Sequence, residues 1–199
     1  FPGYDRVEDR THVSYGVKSG LYGHNGYNGR VFFGQSYRID DDNPFAEGSG
    51  LSERESDFVG QVSTYLGDKL SLNYSIQLAN DTLSSRRHEI DGASKIGRVQ
   101  VGGRYFYAAP LEGTEFTTAR EQVGSSLRYD FDNDWYVNGA LQYDLSEEDD
   151  GLRQALYGFG YNGQCLDFAF VGERRLTRDS SGDSDTTFKV RLGLKNLGE

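Results

Sequence analysis

Methionine is absent from this 199-residue chain, cysteine and tryptophan each occur once, and proline occurs three times. A single cysteine excludes an internal disulfide framework. So few prolines leave room for long β ladders, to which proline cannot donate. Long apolar runs are missing too. No stretch of 18 apolar residues exists, whereas a transmembrane helix needs about 20, so a helical membrane span is excluded. No apolar period of 3.6 residues persists anywhere. Positive charge is scarce, with 21 Lys and Arg against 31 Asp and Glu and a net charge of −10. That balance argues against a nucleic-acid partner. His12, His24 and His88 are scattered without ligand spacing, so neither a metal site nor a cofactor is expected.

What the chain does have is alternation. Leu70, Leu72, Tyr74, Ile76 and Leu78 take turns with Ser71, Asn73, Ser75 and Gln77. Trp135, Val137, Gly139, Leu141, Tyr143 and Leu145 take turns with Tyr136, Asn138, Ala140, Gln142 and Asp144. Period two means strands with one apolar and one polar face. Soluble strands run to about 5–6 residues, while tilted membrane-crossing strands need about 9–11. The longer length fits here. Abundant Tyr (14) and Phe (12) suit aromatic girdles at two membrane interfaces. The mean hydropathy of −0.68 is compatible with a barrel, because only alternate residues meet lipid.

The pattern predicts eleven strands, near 11–22, 30–39, 56–65, 70–78, 86–93, 98–107, 121–131, 135–145, 152–161, 165–176 and 186–194. The fifth is charged and poor in apolar residues. Connections alternate in length. Residues 23–29, 66–69, 94–97, 132–134 and 162–164 are short, whereas 40–55, 79–85, 108–120, 146–151 and 177–185 are longer. Outer-membrane barrels sort turns in this way, short in the periplasm and long outside. The expected fold is therefore all-β: an antiparallel transmembrane barrel segment, with residues 1–10 starting outside.

Bacterial single-chain barrels have an even number of strands, and an open edge in lipid leaves backbone groups unpaired. Eleven strands thus imply part of a larger barrel. The opening Phe1-Pro2-Gly3-Tyr4 carries no export signal, so residues 1–199 are expected to be the C-terminal portion of a longer barrel protein. Charge at mid-depth on the lipid side would cost about 2–4 kcal/mol per residue. Phe188, Val190, Leu192 and Leu194 are accordingly expected to face lipid, and Thr187, Lys189 and Arg191 the interior. Ser71, Asn73, Ser75, Gln77, Asn138 and Gln142 are candidates for a wet lumen lining.

Other patterns weigh less. Gly158-Phe159-Gly160-Tyr161-Asn162-Gly163 has the spacing of a dinucleotide fingerprint but leads into a strand, not the helix such a site needs. His88 lies near Asp91 and several serines, so a Ser-His-Asp site is conceivable, but no catalytic residue is assigned. The sequons at Asn73 and Asn80 read as incidental. Cys165 follows a short turn; it either pairs with a partner outside this chain or is an idle thiol.

Several segments together resemble the C-terminal part of the barrel of LptD, the lipopolysaccharide-assembly family. They are Gly3-Tyr4-Asp5-Arg6-Val7-Glu8, Phe33-Gly34-Gln35-Ser36-Tyr37-Arg38, Asn43-Pro44-Phe45 with Ser49-Gly50-Leu51, Ser56-Asp57-Phe58-Val59-Gly60, Arg86-Arg87-His88-Glu89, and Gly163-Gln164-Cys165-Leu166 with Glu173-Arg174. The resemblance implies insertion of lipopolysaccharide into the outer leaflet of the Gram-negative outer membrane. It implies an LptE-type lipoprotein plug, an LptA-type periplasmic bridge acting through an N-terminal jellyroll outside this chain, and contact with outer-membrane lipid. It implies no enzymatic chemistry. In enterobacterial members adjacent C-terminal cysteines bond to the N-terminal domain; here at most one such bond could form, through Cys165. The last strand, with Phe188, Lys189, Val190, Arg191, Leu192, Gly193 and Leu194, would be one side of a lateral gate. A general porin or substrate-specific channel, with residues 40–55 as constriction loop, is the alternative. A barrel lipase and a soluble β-sandwich adhesin are more distant ones.

Overall fold

The structure, a computed structural model, describes residues 11–40, 45, 49–111, 117–132, 134–146, 150–176 and 184–195. The stretch Gly3, Tyr4, Asp5, Arg6 lies outside these residues. Eleven strands form one antiparallel sheet in chain order: β1 (His12–Tyr22), β2 (Tyr27–Arg38), β3 (Phe58–Leu66), β4 (Leu70–Leu78), β5 (Ser85–Ile96), β6 (Val99–Ala108), β7 (Arg120–Asp130), β8 (Trp135–Asp144), β9 (Gly151–Asn162), β10 (Leu166–Leu176) and β11 (Ser184–Leu194). Among the described residues β1 and β11 are its edges, and the sheet is not closed. One 3₁₀ turn, His24–Gly26, interrupts the strands. Among the described residues no helix is long and apolar enough to cross a membrane.

The alternation dictates the faces. Directly paired residues of neighbouring strands lie on the same side of a sheet. One row runs Val190–Phe170–Phe159–Val137–Tyr129–Val99–Ile96 across seven strands without a polar side chain other than the tyrosine hydroxyl. The row one residue away runs Lys189–Val171–Gly158–Asn138–Arg128–Gln100–Lys95. Register is thereby fixed, because a one-residue slip would exchange the two rows.

Among the described residues no second layer covers the apolar face. Leu72 is 47 %, Val137 37 % and Leu192 68 % exposed, and Ala79 and Ala169 are the buried apolar residues among those described. A sandwich would cover this face with another sheet about 10 Å away. An uncovered patch this wide far exceeds the few hundred Å² that soluble monomers tolerate.

The turns explain the strand ends. β5 and β6 join through Gly97 and Arg98, with Ile96 opposite Val99; Gly97 sits at φ +60, as the first position of a tight hairpin requires. Asp132 Oδ1 accepts the backbone N–H groups of Asp134 and Trp135, both at 2.8 Å, between β7 and β8. Those two bonds, that to Trp135 foremost, hold the Asp132 carboxyl below its usual pKa. Register shifts at Gln77/Leu78 and Gln142/Tyr143 lie toward the long connections, where bulges bend a barrel rim.

Two strands depart from expectation by three residues at one end. β2 begins at Tyr27, three residues early, because the 3₁₀ turn completes the reversal with Gly23 N–H donating to Tyr27 O at 2.8 Å. β5 runs twelve residues, longer than its sparse apolar content suggested.

Candidate functional site

The polar face carries a continuous set of side chains. One of its rows crosses all eleven strands: Tyr22–Asn28–Tyr65–Ser71–Ala93–Gly102–Ser126–Ala140–Leu156–Glu173–Thr187. Small residues fill its centre. A trough of about 570 Å³ opens there, flanked by Arg87, Arg104, Gln122, Gln142 and Gln154.

Register places Ser71, Asn73, Ser75, Gln77, Asn138 and Gln142 on this one face. Asn73 Nδ2 donates to Asp91 Oδ2 at 2.9 Å. Gln77 Nε2 donates to Asp57 Oδ2 at 2.9 Å, and Gln142 Nε2 to Gln122 Oε1 at 3.0 Å. Ser75 pairs across with Gln61 and Glu89, and Asn138 with Arg128 and Gly158.

Ion pairs stitch the face together. Glu89 takes Arg104 and, at 3.2 Å, Arg87. Asp144, fully buried, accepts Ser146 Oγ at 2.6 Å and Arg153 Nε at 3.4 Å. Glu173, also buried, accepts Gln154 at 2.7 Å, Lys189 at 3.0 Å and Arg175. Three strands therefore meet at one carboxylate. Sequence reading named Glu89 and Glu173 only within family-like segments and Asp144 only within the alternation, and gave none of them a role in the site. Asp144 alternates with apolar Tyr143 and Leu145, a signal for the face, but Arg104, Arg153, Gln154 and Lys189, the partners that tie strands together, lie on other strands.

At the long-connection end, residues 49–57 fold against strand ends. Arg38 Nη1 donates to Leu51 O at 3.1 Å, Arg38 N to Arg54 O at 2.7 Å, and Ser56 N to Ser36 O at 2.8 Å. Gly50, at φ +78, presses against Gln77 and Asp57, where a Cβ would lie 2.2 Å from Gln77 Nε2. The described part of the expected constriction loop thus continues the wall beside β2.

The conceivable Ser-His-Asp site does not form. His88 sits on the apolar face, bonded to Tyr74 Oη at 2.8 Å and to Ser85 Oγ. Asp91 faces the other way, toward Asn73. Gly158 and Gly160 belong to β9, and β10 follows them, so the fingerprint spacing holds no helix. Cys165 is exposed, with a free thiol, in the turn between β9 and β10.

On β11, Phe188, Val190, Leu192 and Leu194 lie on the apolar face, 60 to 68 % exposed. Lys189, Arg191 and Gly193 lie on the polar one. Gly193 leaves room for Asp167, whose Oδ1 would stand 2.1 Å from any Cβ there.

The family model LptD, described as LPS transport system D, matches residues 1–181. The chain is 27 % identical over 201 residues to LPS-assembly protein LptD of Nitrosomonas europaea, covering 99 % of this chain and 26 % of that protein. It is 27 % identical over 209 residues to LPS-assembly protein LptD of Acinetobacter baumannii, covering 100 % and 25 %. A shorter match to LPS-assembly protein LptD of Thiobacillus denitrificans reaches 33 % over 79 residues, covering 39 % and 11 %. The chain spans about a quarter of the length of the first two relatives.

Proposed function

This chain belongs to the LptD family, and on that premise we propose that it forms the C-terminal wall of an outer-membrane barrel that moves lipopolysaccharide into the outer leaflet. The observation that carries this reading is the two-faced sheet. A contiguous apolar face without a covering layer backs onto a polar face that crosses all eleven strands. Acyl chains partition to the first side and sugars to the second, because burying an unpaired polar group in hydrocarbon costs several kcal/mol, on the order of 2–7.

In this arrangement the short turns face the periplasm and the long connections face outside. Ser71, Asn73, Ser75, Gln77, Asn138 and Gln142 line the water-filled interior. β11 offers an edge that is unpaired among the described residues; in the complete barrel it pairs with a strand from outside this chain and opens there to let the lipid part leave. An LptE-type plug fits the interior, and an LptA-type bridge delivers substrate through an N-terminal domain outside these residues. Cys165, exposed at the periplasmic rim, is available to bond that domain.

A porin reading is less favoured. It needs a loop folded across the lumen, whereas the described residues 49–57 hydrogen-bond along the wall. Depletion of the full-length protein in cells tests the choice. Newly made lipopolysaccharide should fail to reach the cell surface. Normal surface delivery, with only solute permeability changed, would favour the porin.

A further inference from the structure

At the short-turn end of β7–β11 the polar face holds a second cavity, of about 550 Å³. Three cations from separate places line it: Arg128 on β7, Arg191 on β11 and Lys195 just beyond β11. The Arg128 guanidinium stacks 3.6 Å over the Tyr136 ring, and its Nε lies 2.8 Å from Asp130 Oδ1. Arg191 Nε lies 3.7 Å from Asp167 Oδ2, too far for a hydrogen bond, and its side chain is 75 % exposed. Lys195 Nζ donates to Asn162 Oδ1 and to Gly163 O, both neutral acceptors.

The charge balance here opposes the chain's average. Three cations face two carboxylates, and of those Asp167 alone lines the cavity. The whole chain carries −10, and residues 40–57, which join the opposite ends of β2 and β3, hold seven acidic residues against one arginine. Arginine forks suit phosphate oxygens, and lysine adds a point charge. The volume falls within the range of small-molecule sites, roughly 300–1,000 Å³, and exceeds what a bare phosphate fills. Tyr136 adds a ring and Asn162 an amide, whereas the Tyr161 ring packs 5.0 Å from Trp135 on the apolar face. A polar ring bearing an anionic group matches such walls.

We propose that this cavity binds the phosphorylated sugar headgroup of a glycolipid, with Arg128, Arg191 and Lys195 taking the phosphate and Tyr136 and Asn162 beside the sugar ring. The inference rests on the reading of this chain as a lipopolysaccharide conduit, and it adds a point of headgroup contact beside the last strand. Arg191 gives up its long-range pairing with Asp167 when the phosphate arrives.

Ligand-observed saturation-transfer NMR on the full-length protein in detergent tests it, with glucose 1-phosphate, glucose and inorganic phosphate as probes. Glucose 1-phosphate should bind, with glucose and inorganic phosphate each at least fivefold weaker. The pair Arg191→Gln with Lys195→Gln should weaken binding at least tenfold, and raising salt from 50 to 200 mM should weaken it further. Arg191→Lys with Lys195→Arg should restore binding within about threefold, which separates lost charge from lost fold. Unchanged binding in the glutamine pair, or glucose binding as well as its phosphate, overturns the site. Inorganic phosphate binding as tightly as glucose 1-phosphate reduces it to a simple anion site and overturns the headgroup assignment. The conduit reading fails separately, if depleted cells still deliver lipopolysaccharide while the purified protein binds glucose 1-phosphate.

Discussion

Lys189, at the centre of β11, reaches back on the polar face to Glu173 on β10, its Nζ 3.0 Å from Oε2. The same carboxylate holds Arg175 of its own strand and Gln154 of β9. The last strand is therefore tied to the wall on one side, while its other edge is unpaired among the described residues. Any seam that opens should lie beyond β11. Glu173→Gln removes the charge that Lys189 and Arg175 share, so amide hydrogen exchange in β11 should rise severalfold while exchange in β4 stays unchanged. Equal exchange in both strands would show that the carboxylate does not anchor the edge.

The two faces should respond oppositely to charge. Val62 lies halfway along β3 in an apolar row with Val31, Tyr74 and Ile90. Val62→Arg should destabilise the full-length protein in lipid vesicles by about 2–4 kcal/mol, the cost of a cation at mid-depth. Ser63→Arg, one residue away on the polar face, should cost less than about 1 kcal/mol, because that side chain stays in water. Urea midpoints compare the two variants.

Cys165 is exposed and free in this chain, in an oxidising compartment if the short turns face the periplasm. In the full-length protein, non-reducing electrophoresis should show a mobility shift that Cys165→Ser abolishes. Identical mobility of the two proteins would leave the thiol without a partner.

The turn between β7 and β8 should loosen in acid. Asp132 is held as a carboxylate by the N–H groups of Trp135 and Asp134. A carboxyl whose pKa is lowered on folding stabilises the fold above its unfolded pKa, near 4, and loses that contribution as pH falls through the folded value. Below the ordinary carboxylate range, Trp135 amide exchange should therefore exceed the rate expected from pH alone. Asp132→Asn should remove that extra acid dependence.

Most of this sheet was legible in the alternation. β4 falls at Leu70–Leu78, as its leucine and tyrosine spacing requires. β5 was harder because both its faces carry polar atoms: Arg87, Glu89 and Asp91 on one side, His88 on the other. His88 is accommodated among rings, 6.1 Å from Tyr74 and 6.0 Å from Tyr107. Those partners sit on neighbouring strands and leave no mark in residues 86–93. The cavity around Arg128 and Arg191 was hidden for the same reason. Residues 63 positions apart meet only once the register of β7 through β11 is set. The faces follow from local sequence; the ion pairs and cavities follow from pairing.

The central claim, that the polar face lines the path of lipopolysaccharide while the apolar face meets membrane lipid, is tested most directly by photocrosslinking in living cells. A photoreactive amino acid would replace Ser75 or Asn138 in one set of full-length variants, and Leu72 or Val137 in another. The first set should yield lipopolysaccharide adducts during active synthesis and lose them when synthesis stops, and the second should capture membrane lipid throughout. Absence of lipopolysaccharide adducts at Ser75 and Asn138, in variants that assemble normally, would contradict the account.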